Sequence, residues 1–169
     1  MKKLFFVVLL LTAVVLMSCS PISVRTDYDR EVSFEKYKTF KWMPAPKNPK
    51  RGSVPVNSLL DKRIRQSVES ELAAKGYQVI TTGPADALVA YHVGVQTRID
   101  VDYYGYRYWH RYAYVRKYKE GTIVIDIVDP ELKQLVWRGA AQGVVGHPEG
   151  NPEKVKEAVA KVFEKYPPQ

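Results

Sequence analysis

Cysteine is almost absent from this chain, which has one, Cys19, among its 169 residues. A single cysteine excludes a disulfide within the chain and a metal site built from several thiolates. The three histidines, His92, His110 and His147, are far apart and form no H-x-x-x-H or H-x-H pattern. The sequence also has no G-x-S-x-G elbow, no phosphate-binding loop and no Gly-rich dinucleotide turn. We therefore expect no metal, no cofactor and no enzyme activity.

Long apolar runs are also scarce, and the one present lies at the N-terminus. Lys2 and Lys3 precede the apolar stretch 4–17. That stretch is too short to span a bilayer as a helix and is typical of a signal peptide. It ends in Leu-Met-Ser before Cys19, which resembles the bacterial lipobox, where the peptide is cut before the cysteine and the cysteine is acylated. The alternative, an ordinary signal peptide, would leave Cys19 as a free thiol in an exported protein.

The lipobox predicts a division of the chain into three parts. We expect a lipoprotein signal peptide at 1–18, a lipidated Cys19 with a tether to residue 23, and one domain over 24–169. Acyl chains such as palmitate on Cys19 would hold the protein on a membrane, since burial of several chains gives firm anchoring. Ser20 follows the cysteine and, by analogy with enteric sorting signals, favours an outer-membrane address facing the periplasm.

Positive charge exceeds negative charge in this sequence. The formal net charge is +8, and +6 once Lys2 and Lys3 are removed with the signal peptide. A basic protein on a membrane favours anionic neighbours, such as lipid headgroups, lipopolysaccharide phosphates or acidic glycans. An envelope protein stays open as a further partner. Nucleic acid is not an expected partner, because the chain is exported.

Two segments have the periodicity of amphipathic helices. Apolar residues recur every fourth position from Leu60 to Leu72, after a cap at Asn57 or Ser58 and before Gly76 as a left-handed stop. Asp61, three residues after Ser58, fits a capping box. The second helix follows Asn151 and Pro152 and carries one apolar face, made by Val155, Ala158, Val159, Val162 and Phe163.

Alternating patterns predict five or six strands around a central hairpin. Its strands, Gly121–Val128 and Gln134–Ala141, are joined by a turn that contains Pro130. Strict alternation puts Leu135 and Trp137 on one face of the second strand and Val136 and Arg138 on the other. The predicted fold is α+β, a two-layer sandwich of a mostly antiparallel sheet with two helices packed on one face.

The unusual segment of the domain is the Tyr/Arg-rich insert at 100–119. Aromatic planes and cations alternate here, as in surfaces that stack on sugars and pair with phosphates. Two other interpretations stay open: a hairpin that extends the sheet, because tyrosine favours strands, or an insertion without a role. If the insert is a ligand or partner surface, its candidate residues are Tyr104, Tyr106, Arg107, Tyr108, Trp109, Arg111 and Arg116.

A series of short motifs runs along the mature chain. They are Asp27-Tyr28-Asp29, the stretch 34–42, Lys75-Gly76-Tyr77, the stretches 85–89 and 120–129, and the stretch 135–139. In this order they resemble the bacterial lipoprotein family called domain of unknown function 4136, which also has a Tyr/Gly-rich variable insert before the E-G-T strand. The resemblance implies an anchored envelope protein with a two-layer α/β domain, and it brings no catalytic residues.

Three functions are compatible with these patterns. The first is a non-enzymatic outer-membrane lipoprotein that acts as a binding or scaffolding module through the insert. The second is a structural subunit of an envelope protein assembly, which would use a sheet face or edge. The third is a hydrolase of envelope glycans that would use Asp126 or Asp129, although these residues lie three apart on a strand and should point to opposite faces.

Overall fold

A six-stranded sheet covered by two α-helices makes up the fold of the described residues. The computed structural model describes residues 22–44, 57–104, 112–145 and 151–168. A single-turn 3-10 helix, Phe34–Lys36, lies between the first two strands. The strands are β1 (Ser23–Tyr28), β2 (Thr39–Trp42), β3 (Gln78–Val79), β4 (Ala87–Tyr104), β5 (Tyr112–Asp129) and β6 (Gln134–Val145), and the helices are α1 (Ser58–Ala74) and α2 (Pro152–Phe163).

The strands lie side by side in the order β1-β6-β5-β4-β2-β3. The pairs β1–β6, β5–β6 and β4–β5 are antiparallel, whereas β2 is parallel to both β3 and β4. The parallel pairs need crossover connections, and α1 supplies one between β2 and β3. The mostly antiparallel two-layer sandwich predicted from the sequence is therefore confirmed.

Both helices pack on the same face of the sheet and on each other. Four residues of α1 are buried, at the four-residue spacing seen in the sequence, from Leu60 to Leu72. All five apolar residues predicted for α2 are buried, and Phe163 has no exposed surface. They pack in one core with buried strand residues, which include Val89, Ile125, Ile127 and Trp137.

The helix ends show which of the predicted caps form. The Asn57 side chain accepts a hydrogen bond from the Leu60 N–H, so Asn57 caps α1 and Ser58 is its first residue. The capping box from Ser58 to Asp61 is therefore wrong, and Asp61 bonds Arg65 and Tyr91 instead. Gly76 has a φ of 84°, the left-handed conformation predicted for the stop.

One strand departs from simple alternation. Ile127 pairs with Trp137 and Val128 pairs with Leu135, which leaves Val136 as the extra residue of a β-bulge. Because the bulge shifts the register, Val136 is buried at 1% exposure and Leu135 is 42% exposed. The predicted grouping of Leu135 with Trp137 on one face is therefore wrong at this point.

Candidate functional site: a projecting pair of strands

Strands β4 and β5 continue far beyond the rest of the sheet. Each has 18 residues, and they pair with each other from Leu88–Val128 to Tyr104–Tyr112. β6 accompanies β5 only between Lys119 and Asp129, and β2 touches β4 only at its first three residues. Residues 98–104 and 112–118 therefore form a ribbon, the arm, of about 20–25 Å at ~3.3 Å per residue. In the described part of the chain, neither arm strand pairs with a third strand.

The arm includes the described part of the Tyr/Arg-rich insert, which bears on the interpretations that the sequence left open. The hairpin interpretation is confirmed for the described residues, because the insert continues both neighbouring strands and lengthens them beyond the predicted boundaries. Tyr104 lies at the end of β4, and Arg116 lies on β5 opposite Asp100. The other candidate residues, together with Cys19, lie outside the described residues: Tyr106, Arg107, Tyr108, Trp109 and Arg111.

The base of the arm is polar and exposed. Arg98 pairs with Glu120 across the two strands at 2.7 Å, and its side chain is about half exposed. Ile99 is 58% exposed, and Lys117 and Lys119 are exposed as well. An isolated two-stranded hairpin is marginally stable in water, and open strand edges readily pair with other molecules. Among the described residues, the arm strands are therefore stabilised by pairing with each other and not by a third strand.

The arm leaves the sheet at the end where the chain enters β1. Ser23, the first residue of β1, pairs with Gln142, which pairs with Thr122 and, through it, with Gly94. Followed from Tyr28 back to Ser23, β1 runs in the same direction as β4 does toward and beyond Gly94. We call the end of the sheet at which β1 begins the amino-terminal end of the sheet. The helices α1 and α2 also begin there, at Ser58 and Pro152.

Asp126 lies on the sheet face opposite the helices. It is 5% exposed, and Arg138 on the neighbouring strand donates two hydrogen bonds to its carboxylate, at 2.6 and 2.7 Å. His92 Nε2 lies 3.4 Å from the same carboxylate. The Asp126 hydrogen bond raises the pKa of Arg138. This bidentate pair ties β5 to β6 and leaves no carboxylate oxygen of Asp126 free of Arg138.

Asp129 lies at the end of β5 and anchors the turn and the 3-10 helix. Lys36 Nζ and the Tyr37 hydroxyl donate to one carboxylate oxygen, at 2.7 and 2.8 Å, and two turn N–H groups donate to the other. Burial alone would raise the pKa of Asp129, but these hydrogen bonds outweigh it and hold the pKa well below its usual range. Burial and Asp129 raise the pKa of Tyr37 to about 12.

These two carboxylates do not form an acid–base pair. Asp126 is bonded on the open face of the sheet, whereas the partners of Asp129 include Tyr37, which belongs to the core on the helix side. Both oxygens of each carboxylate already accept hydrogen bonds from this chain. In this geometry Asp126 joins β5 to β6, and Asp129 joins the end of β5 to the following turn and to the 3-10 helix.

A polar network that the sequence patterns did not reveal joins α1 to the sheet. The Tyr91 hydroxyl donates to Asp61, and Trp42 Nε1 donates to Glu69 at 2.8 Å. The Arg65 guanidinium lies over the Trp42 ring, 4.5 Å from its centre. Helical periodicity placed Arg65 and Glu69 on the outer surface of α1. The signal that could have found the network is the half-polar character of Trp42 and Tyr91.

No group of three or more His, Cys, Asp or Glu side chains in residues 22–44, 57–104, 112–145 and 151–168 could hold a metal ion. Within the same ranges, no helix has the length and apolar character needed to cross a membrane. The expectation that the protein uses no metal or cofactor stays a prediction.

The fold and its projecting ribbon define a two-layer α+β domain with a two-stranded arm. The chain belongs to the family Domain of unknown function (DUF4136), whose model matches residues 24–168. The resemblance seen in the sequence motifs is thereby confirmed. No curated relative matches the chain in sequence.

The chain is similar to several solved structures of low sequence identity. A PDZ domain protein from Parabacteroides distasonis superposes with a TM-score of 0.59 at 19% identity, over 88% of this chain and 36% of that protein. The chain thus spans about a third of that protein's length. A PelC dodecamer from Paraburkholderia phytofirmans has a TM-score of 0.49 at 13% identity, covering 84% of this chain and 94% of that one. A minor lipoprotein from Acinetobacter baumannii has a TM-score of 0.36 at 9% identity, covering 76% and 88%.

Proposed function

We propose that this chain is a non-enzymatic lipoprotein of the bacterial cell envelope, anchored through Cys19, and that its arm binds an anionic envelope ligand. The observation that carries the proposal is the direction of the arm. It leaves the sheet at the end where β1 begins, and Ser23 lies only four residues after Cys19 in sequence, so an anchored molecule would hold the arm toward the membrane. The lipobox and Ser20 support an outer-membrane anchor facing the periplasm.

The arm and the insert residues that lie between its two strands in sequence, 105–111, together carry chemistry that fits a surface of phosphates and sugars. Arg107, Arg111 and Arg116 supply guanidinium groups that can hold phosphate oxygens in pairs. Tyr104, Tyr106, Tyr108 and Trp109 supply rings of the kind that collect at membrane–water interfaces and stack on sugars. Lipopolysaccharide presents both phosphates and sugars at that level of the envelope, so it is the ligand we favour.

The proposal that the protein is not an enzyme rests on the hydrogen bonds of Asp126 and Asp129. A glycan hydrolase in this chain would depend on Asp126 or Asp129, and each is held by hydrogen bonds to neighbouring side chains or turn N–H groups. If either residue were catalytic, the native protein would act on purified envelope glycans, and the double variant with Asp126→Asn and Asp129→Asn would lose that activity. We expect no such activity in the native protein, measured by release of reducing sugar ends.

The experiment compares two triple variants of equal charge. Arg107, Arg111 and Arg116 are replaced by Gln in one, and the exposed Lys62, Lys75 and Lys156, which lie outside the arm, are replaced by Gln in the other. Co-sedimentation with lipopolysaccharide is measured for the chain from Ser20 onward at low and high salt. At about 1 kcal/mol per cation near an anionic surface, we expect the arm variant to lose about tenfold or more in affinity. The control should stay near the native value.

Equal losses in both variants would contradict a specific arm site and indicate general charge attraction. Binding to peptidoglycan instead of lipopolysaccharide would change the ligand but keep the arm as the binding element. Circular dichroism spectra of all variants serve as the control for folding.

A second function is favoured by the unpaired edges of the arm. An extended segment of another envelope protein could add to β4 or β5 by β-augmentation, which would make this chain a subunit of an assembly. A partner that co-purifies with the native chain, and is lost when residues 99–117 are replaced by Asn-Gly, would support this function. A partner retained after that replacement would point to the open face of the sheet.

A further inference from the structure

An apolar groove opens at the amino-terminal end of the sheet, on the helix side. It holds about 580 Å³ of empty space, counting the part that is open to solvent. Val93, Val95 and Ile123 form its floor, and Leu60 and Val155 form its wall. The surface it exposes is almost wholly apolar.

The groove exists because the sheet is longer than the helices that cover it. Leu60 and Val155 lie in the first turns of α1 and α2, so the helix layer begins at their level. The strands continue past that point, and the half-buried Val93 and Ile123 lie at the margin of the core. Apolar side chains that would otherwise pack under a helix therefore face the groove.

The position of Ile22 indicates what occupies the groove. Ile22 lines it and lies three residues after Cys19. Three residues span at most about 10 Å when fully extended, so a group attached to Cys19 remains within reach of the opening. The rim carries the polar Asn151 and Lys154, and Lys154 Nζ donates to the Val144 carbonyl oxygen at 3.1 Å. An apolar interior with a polar rim suits a hydrocarbon chain that ends in a polar linkage.

We infer that the groove takes an acyl chain carried by Cys19 whenever that chain is outside a bilayer. The inference rests on the proposed lipidation of Cys19. A bilayer interior is as apolar as the groove, so an inserted anchor gains little by moving into it. In water the same chain exposes its methylene groups, and the groove is the nearest apolar surface to its point of attachment. The protein thus covers its own anchor while it is away from a membrane.

The test uses the full-length protein made in bacteria that are fed a fatty acid with a terminal diazirine. The lipidated protein is purified, the detergent is removed, and the sample is irradiated. Mass spectrometry then locates the cross-links of the label. We expect the peptide that carries Cys19 to be joined within one molecule to peptides containing Val93–Val95 or Gly121–Ile123. Irradiation of the same protein in lipid vesicles should give adducts mainly with phospholipid.

Two groove variants and one matched control complete the experiment. Val95→Asp puts a charge on the floor of the groove, and Val144→Asp puts one at its 42%-exposed margin. Each should lower the cross-link yield by about tenfold, because an apolar site strongly disfavours a charge. The control is Leu132→Asp, a 49%-exposed residue in the turn after β5, which should leave the yield unchanged.

The outcomes separate the two levels of the proposal. If no label reaches Cys19, lipidation is absent, and both the anchor and the groove inference are wrong. If Cys19 is labelled but the cross-links join two molecules, or only a phospholipid adduct lies in the groove, the groove inference alone is overturned. Cross-links inside one molecule that persist in both groove variants would also overturn it.

Discussion

Two tyrosines of the core show how much the partner of a buried hydroxyl matters. Tyr37 and Tyr166 are both about 1% exposed. The Tyr37 hydroxyl donates to Asp129 at 2.8 Å, whereas the Tyr166 hydroxyl has no hydrogen-bond partner among the described residues. Tyr166 contributes through its ring, which meets the rings of Phe40, Tyr77 and Trp137 edge-on or tilted. A buried hydroxyl without a partner is a destabilising feature.

The same chemical change should therefore have opposite effects at these two positions. Tyr37→Phe removes a hydrogen bond to a charged group and should lower the free energy of unfolding by about 1.5–3 kcal/mol. Tyr166→Phe removes an unpaired hydroxyl and should leave that free energy unchanged or raise it by about 1 kcal/mol. Urea denaturation followed by circular dichroism measures both. Equal losses in the two variants would contradict the hydrogen-bond assignment.

Asp129 should make the stability of the fold depend on acid. Its pKa is lowered in the folded chain, so the unfolded chain binds protons more readily as the pH falls below about 4. The stabilisation from Asp129 is therefore present above about pH 4 and is lost progressively below it. We expect Asp129→Asn to flatten this part of the curve of unfolding free energy against pH. An unchanged slope between about pH 2 and 5 would show that other carboxylates dominate acid unfolding.

At the scale of elements, the packing of α2 on β6 depends on one small residue. A methyl group added at Gly139 would overlap side-chain atoms of Val162 on the helix and of Trp137 on the same strand. Glycine at this position therefore allows the helix to lie close to the sheet beside a fully buried indole. Gly94 on β4 lies on the opposite face, and a methyl group there would meet no atom within 4 Å.

The pair offers a matched test of close approach. Gly139→Ala should lower the free energy of unfolding by about 1–3 kcal/mol, because overpacking forces side chains out of their preferred positions. Gly94→Ala should change it by less than about 0.5 kcal/mol or raise it slightly, because glycine weakens a strand interior. Thermal and urea melts measure both variants. A loss of stability at Gly94 as large as that at Gly139 would contradict this explanation, because it would show that alanine destabilises the strands without any overlap.

The sequence predicts elements better than it predicts their pairing. The stripes of α1 and α2 identify their buried faces correctly, because a four-residue period depends only on local order. The bulge at Val136 could not be predicted, since it depends on how β6 aligns with β5. The same long-range alignment brings Arg138 to Asp126 and Tyr91 to Asp61. The length of the arm was not predicted because of a local ambiguity: its tyrosines fit both a strand and a binding loop.

At the scale of the whole molecule, the arm projects from the end of the sheet at which β1 begins. An anchored protein should therefore hold Lys117, at the base of the arm, near the lipid surface. Lys75, which follows the far end of α1, should lie well away from it. This orientation depends on topology alone and does not require a particular ligand.

Fluorescence quenching can measure that orientation. Lys117→Cys and Lys75→Cys are each labelled with a fluorophore in the lipidated protein, where the acylated Cys19 cannot react. The proteins are placed in vesicles that contain a headgroup quencher. We expect stronger quenching at Lys117 than at Lys75, because quenching requires close approach to the bilayer surface. Equal quenching at the two sites would contradict an arm directed toward the membrane.

The pairing of β1 with β6 also sets an order of events during synthesis. The partner of β1 lies more than 100 residues later in the chain, so β1 stays unpaired until β6 has emerged. Chains emerge from the N-terminus, and contacts of such long range form slowly. We therefore expect β1 to join the sheet after β4, β5 and β6 have paired with one another.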